Sequence, residues 1–237
     1  MTEKLLTDVE YNYKTICENI NRAAQSVGKS FDDITFLAAT KTVDVSVINY
    51  AISLGLKNIG ENKVQELLSK YDDYDLSNCS LQFIGHLQSN KVRQIVTKVD
   101  LIQSVDSVKL AKEISRLSVQ NNVTSNILVE VNIGGEENKS GVSPDGLLDL
   151  LCEIKDLPSL CVKGLMTIPP ICQNSQKIYK FFDKMHNMFI DIKGKNIDNI
   201  SMDILSMGMS DDYEEAIKCG ATMIRVGSAL FGARNYT

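Results

Sequence analysis

Short apolar runs that alternate with longer helical segments constrain the fold of this chain more than any other feature. Eight such runs lie at residues 34–40, 58–60, 81–85, 101–105, 126–132, 162–167, 201–207 and 223–227. Runs of this length are typical of buried strands, and the segments between them carry apolar residues at helical spacing. Strands that alternate with helices indicate parallel pairing with crossover helices. The sequence therefore predicts an α/β fold.

Eight strand–helix units in roughly 200 residues favour a single (β/α)8 TIM barrel, and an open doubly wound sheet is the alternative. The 237 residues, 43% of them hydrophobic, suffice for one large α/β domain. No linker, repeat or low-complexity tract divides the chain. We therefore predict one domain over residues 1–237.

An extra amphipathic helix is predicted over residues 1–28, ahead of the first strand. Val9, Tyr13 and Ile16 continue an apolar stripe with spacings of three and four, and Gly28 is a helix-ending residue. We expect this helix to pack on the barrel. A coiled coil with a partner chain is the alternative.

Charge and cysteine usage exclude several classes of function. The net charge of −5 disfavours nucleic acid as a partner. The six cysteines form no CxxC pair and have no close Cys/His spacing, so no metal site is predicted and the thiols should be reduced and mostly buried. No segment approaches the ~20 apolar residues that span a bilayer, and no signal peptide is evident. A cytoplasmic protein is the expectation.

Lys41 directly follows the first apolar run, at the strand end where barrels carry their chemistry. An amine with a pKa near ~10.4 is almost wholly protonated at neutral pH, so a reactive lysine needs burial or a neighbouring cation. Lys41 is thus a candidate reactive amine. A solvated lysine at a strand end is the alternative.

The segments after the seventh and eighth strands together resemble a phosphate-binding cup. Gly227 allows close approach of a ligand to the backbone, Ser228 offers a hydroxyl, and residues 206–210 supply further serines and a glycine. Arg225 should share a face with Met223 and Gly227, which would be the ligand face. A surface or ion-paired arginine is the alternative.

Two helix starts are predicted from local capping signals. Ser143 and Pro144 suit the N-cap and the first residue of one helix. Ser210 would cap another, with Asp211 and Asp212 in its first turn, where negative charge is favourable. A metal site at these two aspartates is the less favoured interpretation, because no third ligand is evident.

Three further polar residues follow strands and could face the barrel mouth. Asn62 comes after the second strand and His86 after the third, so either could hydrogen-bond a ligand. Capping of the local turns is the equal alternative for both. Lys139, in a long polar loop, could be a second amine for an aldehyde ligand, with simple solvation as the alternative.

Seven segments, taken in order, resemble the pyridoxal phosphate homeostasis protein family, whose fold is similar to the N-terminal barrel of alanine racemase. They span roughly residues 30–236. The segments are LAATKT (37–42), IGENKVQE (59–66), FIGHLQSNK (83–91), VNI with ENKSG (131–133 and 137–141), GLMTIP (164–169), SMGMSDDYEEAI (206–217) and RVGSALFGAR (225–234). The departures are mild: Ala39-Thr40 and Ser228 stand where the family often has Val-Ser and Thr, and a hydroxyl is kept at each polar position.

The resemblance implies pyridoxal 5′-phosphate (PLP) as the cofactor, with Lys41 as the internal aldimine lysine. It also implies that Arg225 faces the pyridine nitrogen, which disfavours protonation of the ring and weakens its action as an electron sink. The remaining implied contacts are Ser206, Gly227 and Ser228 to the phosphate, and Met166, Met207 and Asn62 near the cofactor.

The balance between carrier and enzyme follows from the number of proton-transfer groups. Racemisation needs one group on each face of a planar intermediate, and in racemases of this type the second is a tyrosine from an additional β domain. The sequence ends at Thr237, soon after the last strand. We therefore expect a monomeric, non-enzymatic module that buffers PLP or delivers it to apoenzymes. A PLP-dependent racemase of low or narrow activity is the alternative, and a barrel lyase using Lys41 on a sugar phosphate is the third.

Overall fold

Eight parallel strands close into a barrel in sequence order, as seen in a computed structural model that describes residues 3–136, 138–170 and 175–232. The strands are β1 Thr35–Ala39, β2 Asn58–Glu61, β3 Ser80–Phe83, β4 Leu101–Val105, β5 Ser125–Glu130, β6 Leu160–Met166, β7 Ile200–Ser206 and β8 Met223–Val226. β8 pairs with β1, which places Thr35 opposite Met223. The predicted TIM barrel is confirmed, and the open sheet is excluded.

Helices alternate with the strands. They are α1 Glu3–Gln25, α2 Val45–Ser53, α3 Val64–Lys70, α4 Val92–Ile95, α5 Val108–Gln120, α6 Leu147–Ile154, α7 Ser175–Gly194, α8 Tyr213–Lys218 and α9 Ser228–Phe231, with α1 before β1 and α9 after β8. Within the described ranges no helix is long and apolar enough to cross a membrane. The five described cysteines are free thiols, and only Cys79 and Cys219 are buried.

Several predicted features lie outside the described residues. They are Cys172, Glu137 of the fourth matching segment, and residues 233–234 of the last one.

Two hydrophobic cores follow from the alternation of side chains along the strands. The larger core lies between the strands and the helices and includes Phe83 and Phe182. The smaller core fills the barrel interior, and its buried members are Leu37, Ile84, Leu101, Leu128, Met166 and Met223. Polar side chains, including Gln103 and Arg225, take other buried positions in the interior, so the barrel's own lining can support a site.

The extra N-terminal helix, α1, packs on the barrel as predicted. Val9, Ile16 and Ile20 are buried along its inner face. The Asn12 side-chain amide donates to the carbonyl of Leu230 in α9 at 3.0 Å. This contact joins α1 to the segment that follows β8, and it brings the start of α1 towards the barrel mouth.

Both predicted helix starts are wrong: the Ser143 hydroxyl makes a local turn bond before its helix, and the Ser210 hydroxyl is bonded to a distant segment. α6 begins at Leu147, and the Ser143 hydroxyl accepts the N–H of Gly146 at 3.1 Å in a turn before the helix. α8 begins at Tyr213 with Asp212 at its N-cap, where a carboxylate oxygen accepts the N–H of Met209 at 2.6 Å. Ser210 is therefore available for another element.

Candidate functional site

Lys41 lies in the turn after β1, at the carboxyl end of the barrel, and its side chain is half-buried. It lines a cavity of about 260 Å³ together with Ala39, Gly227, Ser228 and Leu5 of α1. The structure therefore brings the predicted amine beside the predicted phosphate segment. Leu5 was missed by sequence reasoning, because nothing in a helix so early in the chain signals contact with this turn.

The start of α9 presents backbone N–H groups to a single hydroxyl. Gly227 and Ala229 both donate their N–H to the Ser210 side-chain oxygen, each at 3.2 Å. A side chain at position 227 would be tight, because its Cβ would lie 3.2 Å from the Ala39 carbonyl oxygen. Convergent N–H groups of this kind favour an anion. Ser210, which the sequence predicts to be a helix cap, is thus a candidate site residue.

Arg225 is buried inside the barrel, on the predicted face. Its guanidinium donates to the Ser206 hydroxyl at 2.6 Å and to the Thr167 carbonyl at 2.8 Å. Ser206 in turn donates to Gln103 at 2.7 Å. Since the Ser206 oxygen is bonded on both sides to interior groups, its contact with a phosphate remains a prediction.

A chain of amide side chains continues from Ser206 through the barrel interior. Gln103 donates to the Gln82 side-chain oxygen at 2.7 Å, and Gln82 donates to the Asn58 oxygen at 3.2 Å. Each oxygen in this chain points back towards the guanidinium, so the bonds polarise one another in the direction that solvates a buried cation. Burial lowers the pKa of Arg225 to about 10, opposed by the charges of Glu130 and Asp212, so the side chain is charged at neutral pH.

Glu130, at the end of β5, is a second buried ionisable group in the barrel mouth. Burial and the charge of Asp106 raise the pKa of Glu130 to about 7, and the charge of Arg225 opposes this shift. The carboxyl group is therefore protonated in mildly acidic solution and ionises near neutrality.

Glu130→Gln should remove a pH dependence of stability. A carboxyl whose pKa is raised on folding binds its proton more tightly in the native state, so its stabilising contribution is complete below about pH 4.5 and disappears as pH rises through about 7. The wild type should lose up to about 3 kcal/mol over this range relative to the Gln variant. Urea unfolding at pH 5 and pH 8 measures the difference. The exposed Glu153→Gln variant is the control, and parallel pH profiles for wild type and Glu130→Gln would contradict the assignment.

Asn62 and His86, both at the barrel mouth, differ in the burial of their polar side-chain atoms. The Asn62 side-chain oxygen is buried and has no hydrogen-bond partner among the described residues, so it is an acceptor that a ligand could satisfy. The His86 side chain is 57% exposed, and its Nδ1 lies 3.8 Å from a carboxylate oxygen of Asp106. His86 is therefore a rim residue, and its contact with a ligand stays a prediction.

The two predicted methionines belong to different cores. Met166 is in the interior cluster, whereas the Met207 side chain is fully buried in the cluster between strands and helices. The structure therefore does not bring Met207 together with the interior residues. Strand alternation explains this, because Ser206 points inward and its neighbour consequently points outward.

Lys139 lies on a separate loop of the rim. Its ammonium is 2.5 Å from a carboxylate oxygen of Glu136 and 3.3 Å from the Pro169 carbonyl oxygen. A role as a second amine for an aldehyde remains a prediction. Among the described residues, no group of three or more His, Cys, Asp or Glu side chains could hold a metal ion.

The groups at the mouth combine hydrogen-bond donors and cations with one unsatisfied acceptor. A half-buried amine, convergent N–H groups, a buried cation and an unsatisfied amide oxygen lie at the carboxyl ends of the strands. An amine attaches carbonyl compounds reversibly, and the N–H groups favour a phosphate. The arrangement suits a small phosphorylated aldehyde.

Comparison with known proteins agrees with this geometry. The family model described as "Alanine racemase, N-terminal domain" matches residues 12–235. The "Pyridoxal phosphate homeostasis protein" of Aquifex aeolicus is 41% identical over 221 residues, which are 93% of this chain and 96% of the relative. A crystal structure described as "an unknown protein from Bifidobacterium adolescentis" superimposes with a TM-score of 0.92 at 32% identity, covering 97% of both chains. PipY of Synechococcus elongatus PCC7942, solved with PLP bound, superimposes with a TM-score of 0.80 at 28% identity, covering 92% of this chain and 100% of that one.

Proposed function

Because the chain belongs to the pyridoxal phosphate homeostasis protein family, with the barrel of the alanine racemase N-terminal domain, we propose that it binds PLP at Lys41 and serves PLP homeostasis. The observation that carries this proposal is the cavity that Lys41 shares with Gly227 and Ser228. The similarity of the whole chain to the PLP-bound PipY structure supports the choice of ligand.

The chemistry between an amine and an aldehyde explains why a PLP carrier would use a lysine. When bound, PLP would supply an aldehyde that can condense reversibly with the Lys41 amine, with one water molecule released on attachment and taken up on detachment. Lys41 provides the amine from a turn at the cavity wall. Reversible attachment suits a protein that buffers the cofactor or hands it to apoenzymes.

We assign the phosphate to the Ser210 hydroxyl and the N–H groups at the start of α9, with Ser228 beside them. The support is the convergence of the Gly227 and Ala229 N–H groups on Ser210. Arg225, held by Ser206 and Thr167, is the candidate to face the pyridine nitrogen, as the resemblance implies. Met166 in the interior core and the unsatisfied oxygen of Asn62 would then lie near the ring.

The carrier has more support than the alternatives. A relative that covers 93% of this chain is named for homeostasis and not for a reaction. A racemase remains the less supported alternative. A cytoplasmic location, a monomeric state and delivery to PLP-dependent apoenzymes are parts of the proposal that rest on the sequence.

A spectrum of the purified protein tests the proposal. Addition of PLP should produce visible absorbance of a Schiff base, and borohydride reduction followed by peptide mapping should place the added mass on the peptide containing Lys41. A wild-type protein that stays colourless and carries no added mass would overturn the proposal.

Ser210→Ala should weaken binding of PLP and leave binding of pyridoxal unchanged. Pyridoxal has the same aldehyde without the phosphate, so only PLP would lose a charge-assisted hydrogen bond, which corresponds to about a tenfold higher Kd. Visible absorbance during titration with each compound gives both constants. Ser53→Ala, at an exposed position on α2, is the matched control. Equal weakening of both compounds would place Ser210 outside the phosphate site.

A further inference from the structure

A buried cluster of ionisable side chains lies on the outer side of the Lys41 turn, and the site described above does not use it. We call this cluster the outer clamp; it consists of Glu61, Glu66, Lys70 and Tyr74. Glu61 ends β2, while Glu66 and Lys70 lie on α3. Its members contact the residues on either side of Lys41.

The turn that carries Lys41 has an unusual backbone. The Val43 N–H donates to the Thr40 carbonyl at 3.1 Å, which closes a four-residue turn with Lys41 second and Thr42 third. Thr42 has a φ of +64°. A positive φ at the third position usually selects glycine or asparagine, and a β-branched residue there is strained. The turn therefore needs external contacts to hold it.

The outer clamp supplies contacts on both sides of Lys41. The Thr42 N–H donates to a carboxylate oxygen of Glu66. The Lys70 ammonium donates to the Thr40 carbonyl at 3.1 Å. The Thr40 hydroxyl donates to Glu61 at 2.8 Å. The residues before and after Lys41 are thus bonded to β2 and α3.

Contacts within the outer clamp fix its own geometry. The Lys70 ammonium lies 2.7 Å from Glu66 and 3.0 Å from Glu61, and the Tyr74 hydroxyl donates to Glu61 at 2.7 Å. Glu61 is fully buried, and its second oxygen has no partner among the described residues. Buried ion pairs gain little net stability after desolvation, but they do fix geometry where the alternatives are unpaired charges. The clamp is therefore better suited to positioning the turn than to general stabilisation.

We propose that the outer clamp, acting through Glu66, is a positioning device that holds the Lys41 turn in the conformation from which the amine reacts. This inference rests on the proposed function, because it concerns attachment of the aldehyde at Lys41. The clamp residues contact the backbone of the turn and the Thr40 hydroxyl. They therefore affect binding of PLP by positioning Lys41.

Three substitutions at Glu66 distinguish loss of the hydrogen bond from the Thr42 N–H from loss of the negative charge. Glu66→Ala removes the acceptor of the Thr42 N–H, and we expect about a tenfold higher Kd for PLP. Glu66→Gln keeps an oxygen at the same reach and should bind within about twofold of the wild type. Glu66→Asp keeps the charge but shortens the side chain, so it should resemble the Ala variant. The exposed neighbour Gln65→Ala is the matched control.

A second substitution, of Thr42 by glycine, distinguishes positioning of the turn from a purely structural role of Glu66. Glycine adopts φ near +64° without strain, so Thr42→Gly should restore most of the PLP affinity lost in Glu66→Ala. Amide hydrogen exchange at Thr42, measured without PLP, should be faster in Glu66→Ala than in the wild type. Circular dichroism checks that each variant is folded.

The outcomes separate the two proposals. Unchanged PLP affinity in Glu66→Ala, or no recovery in the double variant, would overturn the positioning role. Unchanged exchange at Thr42 would overturn the contact itself. A wild-type protein that gives no visible absorbance would instead overturn the proposed function, whereas the exchange measurement would still report on the clamp.

Discussion

Lys41→Ala is expected to reduce the visible absorbance of the PLP-treated protein to background. Alanine has no amine to join the aldehyde carbon, and Lys41 is the lysine that shares a cavity with Gly227 and Ser228. The phosphate groups and Arg225 remain in this variant, so weak noncovalent binding of PLP should persist without Schiff-base absorbance.

Two measurements make this prediction specific to Lys41. Borohydride reduction and mass measurement should show one added pyridoxyl group in the wild type and none in Lys41→Ala. Lys139→Ala is the matched control, because Lys139 lies on the rim beside Glu136 and Pro169 and its removal should leave the absorbance unchanged. Full absorbance in Lys41→Ala, or its loss in Lys139→Ala, would move the anchor away from Lys41.

Arg225→Met should destabilise the apoprotein by about 3–5 kcal/mol. The guanidinium is buried and donates to Ser206 and Thr167, so its removal leaves these acceptors unpaired. The amide chain through Gln103 and Gln82 also loses the cation towards which its oxygens point. An unsatisfied buried network costs more than an apolar core of the same shape.

Urea unfolding measures this effect in the absence of PLP. Arg93→Met, at an exposed position, should change the free energy of unfolding by less than about 0.5 kcal/mol. If Arg225→Met does not fold, Gln103→Leu offers a milder break in the same chain, with an expected loss of about 1–3 kcal/mol. A loss below about 1 kcal/mol for Arg225→Met would show that the guanidinium is not held by the interior network.

The barrel and the positions of Lys41 and Arg225 within it could be predicted from the sequence because their signals are local. Each strand is a short apolar run between helical segments, and all eight runs coincide with observed strands within a few residues. Alternation along β8 predicts that Arg225 shares the face of Met223 and Gly227, and the structure shows that it is buried. The position of Lys41 directly after β1 predicts that it lies at the mouth.

The contacts of Ser210 could not be predicted, because local and distant N–H groups compete for its side-chain oxygen. Ser210 has the local features of a helix cap, yet its oxygen accepts N–H groups of Gly227 and Ala229. Asp212 takes the N-cap position instead. The residues around Ser210 carry no information on how close the loop after β7 lies to the loop after β8. Sequence reasoning therefore could not decide whether the Ser210 oxygen caps a helix or accepts the N–H groups of Gly227 and Ala229.

The sequence by itself determined that this chain forms a parallel barrel with an amine at the end of β1 and polar, glycine-containing loops after β7 and β8. These features follow from periodicity and from residue types at strand ends, which depend on near neighbours in the chain. Only the tertiary structure decided that Leu5 lines the Lys41 cavity, that Ser206 supports Arg225, and that Glu66 holds the strained Thr42. Barrel closure and helix packing bring these groups together across long stretches of chain, and no local pattern records that proximity.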